Sequence, residues 1–336
     1  MTEQLTRLAA LIRSMQNPDI RVAAAHEWLE QQRVLAPAEA RRADADLEGR
    51  GIDAVPVGDP KPGRFTYFMD GMQRPRGPIY LNSPIPIVYG YAAAVIRTRG
   101  GDKRMRKHAH VCSDPFYFSY ELRDPADLQR AGVRTSDTGG DKNPLEAHPM
   151  MLLQQARDKL STDRAQLEAE ITTHWLRDFA DGEDWLLVDG SLCGDYDGFD
   201  SPNIVGVVKS HQTQYFPFDQ QVKILDLKVG QRSGVFIPKG RNRPDVYSWY
   251  LRLRPNDGRD IYFGLVRVEA AKCGRTLDLS DEISRWLLAE RSPLSTPDYR
   301  WDTVLYAVRD CELYLRSVAP SDTYLDSRMI SLAHAG

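Results

Sequence analysis

An α/β or α+β domain built on a mixed sheet is the fold class this sequence predicts, and three observations predict it. Short apolar runs rich in β-formers, bounded by turn residues, alternate irregularly with longer stretches of helical period. Two of those runs close on aspartate followed by glycine, in Met69-Asp70-Gly71 and Val188-Asp189-Gly190. The 336 residues are 42% hydrophobic and 27% charged, enough apolar content for a sizeable core.

Residues 4–50 read as helix, because Leu5, Leu8, Leu11 and Ile12 recur at helical spacing, as do Val22, Ala25 and Trp28. Good helix formers continue through 41–46 to Gly51. A Pro/Gly-rich link from Pro56 to Gly63 follows. Residues 65–70 form the first strand and 86–98 a second. The stretch from Arg97 to His108 is basic and opened by Gly100-Gly101. Residues 113–147 are polar and turn-rich, and a long helix spans 149–180. The second Asp-Gly strand is 185–189, followed by an Asp/Gly loop and an apolar strand at 204–208. Residues 244–270 read as a hairpin about Pro255-Asn256-Asp257-Gly258. Helices close the chain at 279–291 and 300–318. These boundaries divide it into an N-terminal helical extension (1–55), a main domain (56–320) and a C-terminal tail (321–336). The tail is apolar at 324–332, and it and the stripe through Leu5, Leu8, Leu11 and Ile12 are candidate docking segments, with packing of the tail on its own domain an equal alternative.

Composition excludes several classes. No apolar run is long enough to cross a bilayer. The first residues carry no signal-peptide core. Cys112, Cys193, Cys273 and Cys311 are widely spaced, which suits neither a zinc site nor a disulfide framework, and a cytoplasmic setting is expected. A net charge of −3 confines any nucleic-acid contact to a local basic patch. Arg97, Arg99, Lys103, Arg104, Arg106 and Lys107 supply one. No phosphate-binding loop, dinucleotide fingerprint or Gly-x-Ser-x-Gly elbow occurs. His108 and His110 lack a third metal-binding partner nearby in sequence and read as loop residues.

The candidate chemistry is carboxylate chemistry. A strand-end aspartate sits at the rim of the core, where it stays ionised. Two of them on adjacent strands present the oxygen ligands that Mg²⁺ and Mn²⁺ prefer. A third acid is expected from the 149–180 helix. Glu168 lies at the edge of the face through Leu160, Leu167, Ile171, Trp175 and Phe179, whereas Glu170 points away with Gln166 and Thr173. A solvated helix glutamate is the competing reading. Glu269 and Lys209 each close an apolar strand, and Lys209 is placed to pair with a phosphate or with an acid of the cluster. Tyr247, Trp249 and Tyr250 are candidates for stacking on bases, or for core packing in the hairpin.

The order of Met69-Asp70-Gly71-Met72, Arg164-x-x-x-Glu168, Val188-Asp189-Gly190-Ser191-Leu192, Gly206-Val207-Val208-Lys209-Ser210 and Arg267-Val268-Glu269 resembles the NurA nucleases over residues 60–315. The resemblance implies a ribonuclease H-like fold and a Mn²⁺- or Mg²⁺-dependent nuclease that processes DNA ends by exo- or endonucleolytic cleavage of single strands. In this family such enzymes act as dimers with a hexameric HerA-type ATPase. It implies that Asp70, Glu168 and Asp189 hold the metal, with Glu269 outlying. Two positions depart from the pattern. Met72 stands where the first motif has serine, and Val308 where the closing helix has histidine; Asp302 is a possible substitute, although a helix N-cap is its commoner role. The departures point to a rival class, a catalytically inactive nucleic-acid-binding scaffold. A ribonuclease H-like enzyme acting on RNA or hybrids is a third.

Overall fold

A computed structural model describes residues 3–15, 20–22, 39–40, 43–44, 47–139, 147–179, 182–192, 203–211, 213–239, 246–257, 260–291 and 305–334. The elements run α1 (Glu3–Ser14), β1 (Ile20–Val22), β2 (Glu39–Ala40), β3 (Ala43–Asp44), β4 (Val55–Pro56), β5 (Phe65–Leu81), β6 (Ile87–Arg99), β7 (Met105–Ser113) and β8 (Phe116–Phe118). There follow α2 (Ala126–Arg130), β9 (Thr135–Asp137), α3 (Pro149–Phe179), β10 (Trp185–Asp189), β11 (Ile204–Val208), β12 (Thr213–Gln214) and α4 (Phe218–Leu225). The chain closes with β13 (Gln231–Arg232), β14 (Ile237–Pro238), β15 (Val246–Arg252), β16 (Leu265–Ala271), α5 (Gly274–Asp278), α6 (Ser280–Glu290), α7 (Tyr306–Val318) and α8 (Asp322–Ala333).

One large mixed sheet organises these elements, in the order β4-β13-β15-β16-β11-β10-β5-β6-β8-β9, with β1 pairing β5 and β7 pairing β6. At its centre β10 runs parallel to both β5 and β11, and the neighbouring pairs are antiparallel. Helices flank both sides. On one side α3 packs Ile171, Trp175 and Leu176 against Met69, Ala94, Ile96 and Val188. On the other, α1, α6, α7 and α8 pack against Phe68, Val95, Leu187 and Val207. The mixed α/β architecture expected from the residue pattern is therefore the observed one.

The N-terminal helix stops at Ser14. The expectation of helix through residue 50 is corrected, since 20–22, 39–40 and 43–44 are short strands pairing with β5, β12 and β14. Local helix propensity loses here to ladder hydrogen bonds, β1 on the large sheet and β2 and β3 in two small two-stranded ladders. The repeat through Ala25 and Trp28 lies outside the described residues. The first predicted strand does not end at Asp70. It continues through Gly71 to Leu81, because the long antiparallel pairing with β6 supplies hydrogen bonds past the glycine. The basic stretch is the tip of the β6–β7 hairpin, not a free loop. Ile261-Tyr262-Phe263, expected in strand, forms the turn leading into β16. The long helix stands as expected at Pro149–Phe179. Helix α8 occupies the segment read as a docking tail or as one that packs on its own domain, and it packs on its own domain. Its Leu325, Met329 and Leu332 are buried in the same core as Leu5, Leu8 and Ile12.

Candidate metal-binding carboxylate centre

The parity of the strands decides which side chains meet. Successive strand residues face opposite sides of a sheet. Met69 and its ladder partner Ile96 face α3, so Asp70 and its partner Val95 face α7, and Gly71 with Ala94 faces α3 again. On β10, Val188 faces α3 and Leu187 the opposite side, which puts Asp189 on the α7 side. The parallel register Val188↔Met69 then sets Asp189 next to Asp70. Lys209, one residue past β11, extends from the same side, and its Nζ donates to the Asp189 carboxylate at 2.8 Å. The pairing expected between Lys209 and an acid of the cluster is with Asp189.

Asp70 is 8% exposed and accepts a hydrogen bond from the Gly71 amide at 2.8 Å. Burial pushes its carboxyl well above the usual aspartate range, and the Asp189 charge adds to the rise; the Lys209 ammonium and the Gly71 amide oppose it, and Glu168 raises it further. A buried carboxyl crowded by like charges is a group that a cation would relieve. Beside it, the Cys311 thiol of α7 donates to the Phe68 carbonyl at 3.3 Å. Burial raises that thiol, with Asp70 as the next contribution. Cys311 was not singled out from the sequence; the signal was its place with Val308 and Leu315 on the apolar stripe of the last long helix.

Glu168 is buried and Glu170 exposed, which is the helical phase expected from the sequence. Glu168 approaches from the α3 side, however, across β5 from Asp70. A Cβ on Gly71 would overlap its carboxylate, so Gly71 serves the space it leaves for Glu168 rather than a turn. Arg164, one helical turn earlier, pairs with Glu168. Burial raises the Glu168 carboxyl, Arg164 draws it down, and Asp189 contributes a smaller rise. At Asp189-Gly190 the turn is real: Gly190 has φ 115°.

Glu269 is not at a strand end, and that expectation is corrected. It lies within β16, 1% exposed, on the side away from Asp70. It pairs with the buried Arg267, and its Oε2 accepts the Leu192 amide at 2.8 Å. Its register partner is Gly206, where a Cβ would fall 2.7 Å from the Gly190 carbonyl. Glu269 and Gly206 thus hold the turn that follows Asp189. Trp249 and Tyr250 are core residues, and Tyr247 packs against the core. Asp302 lies outside the described residues, and Val308 is buried.

The basic hairpin divides into two groups. Arg97 pairs with Asp310 at 2.8 Å, and Arg99 with Glu290 at 2.5 Å. At the tip Asp102 holds Arg106 at 2.6 Å, while Lys103, Arg104 and Lys107 are exposed.

The donor set suits a hard divalent cation in part. Asp70 and Asp189 are oxygen ligands on adjacent strands facing one side, and Mg²⁺ is commonly held by one or two carboxylates together with substrate phosphates. Among the described residues no group of three His, Cys, Asp or Glu side chains is gathered closely enough to hold an ion. Glu168 reaches Gly71 from the α3 side, and its charge acts on Asp70 as that of Asp189 acts on Glu168.

No protein-family model matches the chain, and no curated protein sequence matches it. Among solved structures it is similar to the NurA nuclease from Sulfolobus solfataricus, at 13% identity, covering 84% of this chain and 86% of that one with a TM-score of 0.47. No helix among the described residues is long and apolar enough to cross a membrane.

Proposed function

We propose that the chain is a divalent-metal-dependent DNA nuclease of the NurA type. The observation that carries this reading is the Asp70–Asp189 pair, two carboxylates brought side by side from parallel strands beneath a lysine. A Mn²⁺ or Mg²⁺ held by that pair would polarise the scissile phosphate and lower the pKa of a bound water. The chain's own residues do the rest. Lys209 fixes the Asp189 carboxylate and lies within reach of a phosphate oxygen's negative charge. The Glu269–Leu192 bond and the close approach at Gly206 keep the turn after Asp189 in one geometry. Glu168, with Arg164, supplies a further carboxylate across Gly71. Lys103, Arg104, Arg106 and Lys107 would contact the strand backbone through charge alone. A dimer and a HerA-type motor belong to the same reading. Light scattering at twice 38.1 kDa tests the first and co-purification the second.

The deciding experiment is cleavage of single-stranded and duplex DNA in Mn²⁺ and in Mg²⁺ by the wild type, Asp70→Asn and Asp189→Asn. Each variant is expected to lose at least 100-fold in rate while melting as a folded protein. Wild-type rates in either variant would overturn the assignment. DNA binding without cleavage by the wild type would favour the scaffold reading.

A further inference from the structure

A cleft of about 560 Å³ opens at the opposite end of the central strands from the aspartates. Its walls are Arg64, just before β5, and Arg275, Asp278, Leu279, Glu282 and Trp286 from the α5–α6 region. Arg64 precedes Asp70 by six residues, about 20 Å at the strand rise of ~3.3 Å, so this is not the carboxylate centre. The volume is that of a small-molecule site.

The cleft is rigidly built. Trp286 is 2% exposed and meets Phe65 and Trp185 edge-on, with ring centroids 5.7 and 5.3 Å apart. The chain beside Arg64 lies directly against it: a Cβ on Gly63 would fall 2.6 Å from the Trp286 Cβ. The Arg275 guanidinium stands over the face of Trp185 at 5.7 Å. Stacking of this kind orders the planar fork before a ligand arrives.

Its two arginines and two carboxylates are unequally engaged. Glu282 is taken by Lys61 at 2.7 Å, and Arg285, spent on the Asp59 carbonyl at 2.9 Å, lies close by. The Glu282 carboxyl is held low by the Lys61 hydrogen bond, with Arg64 and Arg285 as further positive neighbours. Among the described residues neither Arg64 nor Arg275 is matched to a carboxylate. The walls thus hold these two unpaired guanidinium groups, and of their two carboxylates Glu282 is already neutralised by Lys61.

We infer that this cleft binds a phosphate ester of nucleotide size, with Arg64 and Arg275 as the phosphate-binding forks. The shared chemistry fits a free nucleotide and the terminal nucleotide of a strand. Arginine suits the task because its fork matches two phosphate oxygens at once.

The test is calorimetric titration of the full chain with dAMP, with 5′-phosphorylated oligothymidine and with inorganic phosphate, alongside tryptophan emission, since Trp286 lines the cleft and Trp185 underlies Arg275. Saturable binding of dAMP or of the oligonucleotide with a change in emission is expected. Preference for dAMP identifies a free-nucleotide site, and preference for the oligonucleotide a strand-end site. Arg64→Ala with Arg275→Ala should weaken binding at least 10-fold. Should that protein not fold, Arg64→Lys with Arg275→Lys keeps the charge, removes the fork, and should still weaken binding several-fold. Asp189→Asn should titrate as wild type, which separates this site from the proposed nuclease centre. No saturable binding, inorganic phosphate bound as tightly as dAMP, or arginine variants that bind as wild type would each overturn the inference.

Discussion

Asp70 is buried where its ionised form is disfavoured, and this has a measurable consequence. Its carboxyl titrates above the ordinary aspartate value of 3.8, first through burial and then through Asp189. The folded state therefore holds the proton more tightly than the unfolded chain. Stability from this group is fully present below the ordinary value and is lost as pH rises through the raised one. Asp70→Asn should accordingly raise the melting temperature near pH 7.5 in chelator. The gain, about 2–4 °C per kcal/mol relieved, should disappear below about pH 4. A lower melting temperature at pH 7.5 would show that the ionised carboxylate stabilises the fold. Gly71 makes a second test. An added methyl must push aside the Glu168 carboxylate, so Gly71→Ala should cost about 1–3 kcal/mol by overpacking and reduce cleavage at least 10-fold. Unchanged cleavage would remove Glu168 from the chemistry. Helical phase was enough to separate Glu168 from Glu170 in the sequence. The side of β5 that Glu168 reaches was not legible, because it depends on the parity of another element.

The β6–β7 hairpin shows how one charge run serves two purposes. Arg97 and Arg99 reach inward to Asp310 and Glu290, fastening the hairpin to α7 and α6. Lys103 and Lys107 stay in water. Lys103→Ala with Lys107→Ala should leave the melting temperature unchanged and reduce the salt slope of DNA binding by about 0.7–0.9 per lost phosphate contact. Arg99→Met should instead leave buried Glu290 unmatched and cost about 2 kcal/mol in chemical denaturation. An unaltered salt slope in the first variant would make the tip a solvated surface. In sequence the six basic residues form one patch, since nothing local tells which of them face carboxylates more than 190 positions away.

Closure of the whole molecule rests on its two ends. Helix α1 packs with α8, and Leu325, Met329 and Leu332 share the core with Leu5, Leu8 and Ile12. Burying each such side chain contributes roughly 1.5–3 kcal/mol. Removing 322–336 would thus forfeit several kcal/mol against a net stability of about 5–15. The truncated chain should melt at least 10 °C lower or be recovered insoluble. A truncated chain that melts as the full one does would restore the segment as a docking peptide. The apolar stripes that read as docking segments are, in the fold, partners of each other.

Local pattern alone determined the alternation of strands and helices, the α3 helix and its buried edge at Glu168, the strands that begin near 65, 86, 185 and 204, and the two Asp-Gly steps themselves. Those features follow from period, turn chemistry and burial within a few residues of chain. Tertiary structure alone decided that Asp70 lies inside a strand, that Glu269 faces away from it and holds the Leu192 amide, that Lys209 rests on Asp189, and that the chain ends meet. The physical reason is common to all four. A strand's two faces are equivalent until a partner strand and a covering helix choose between them, and that choice is made by contacts between residues far apart in sequence.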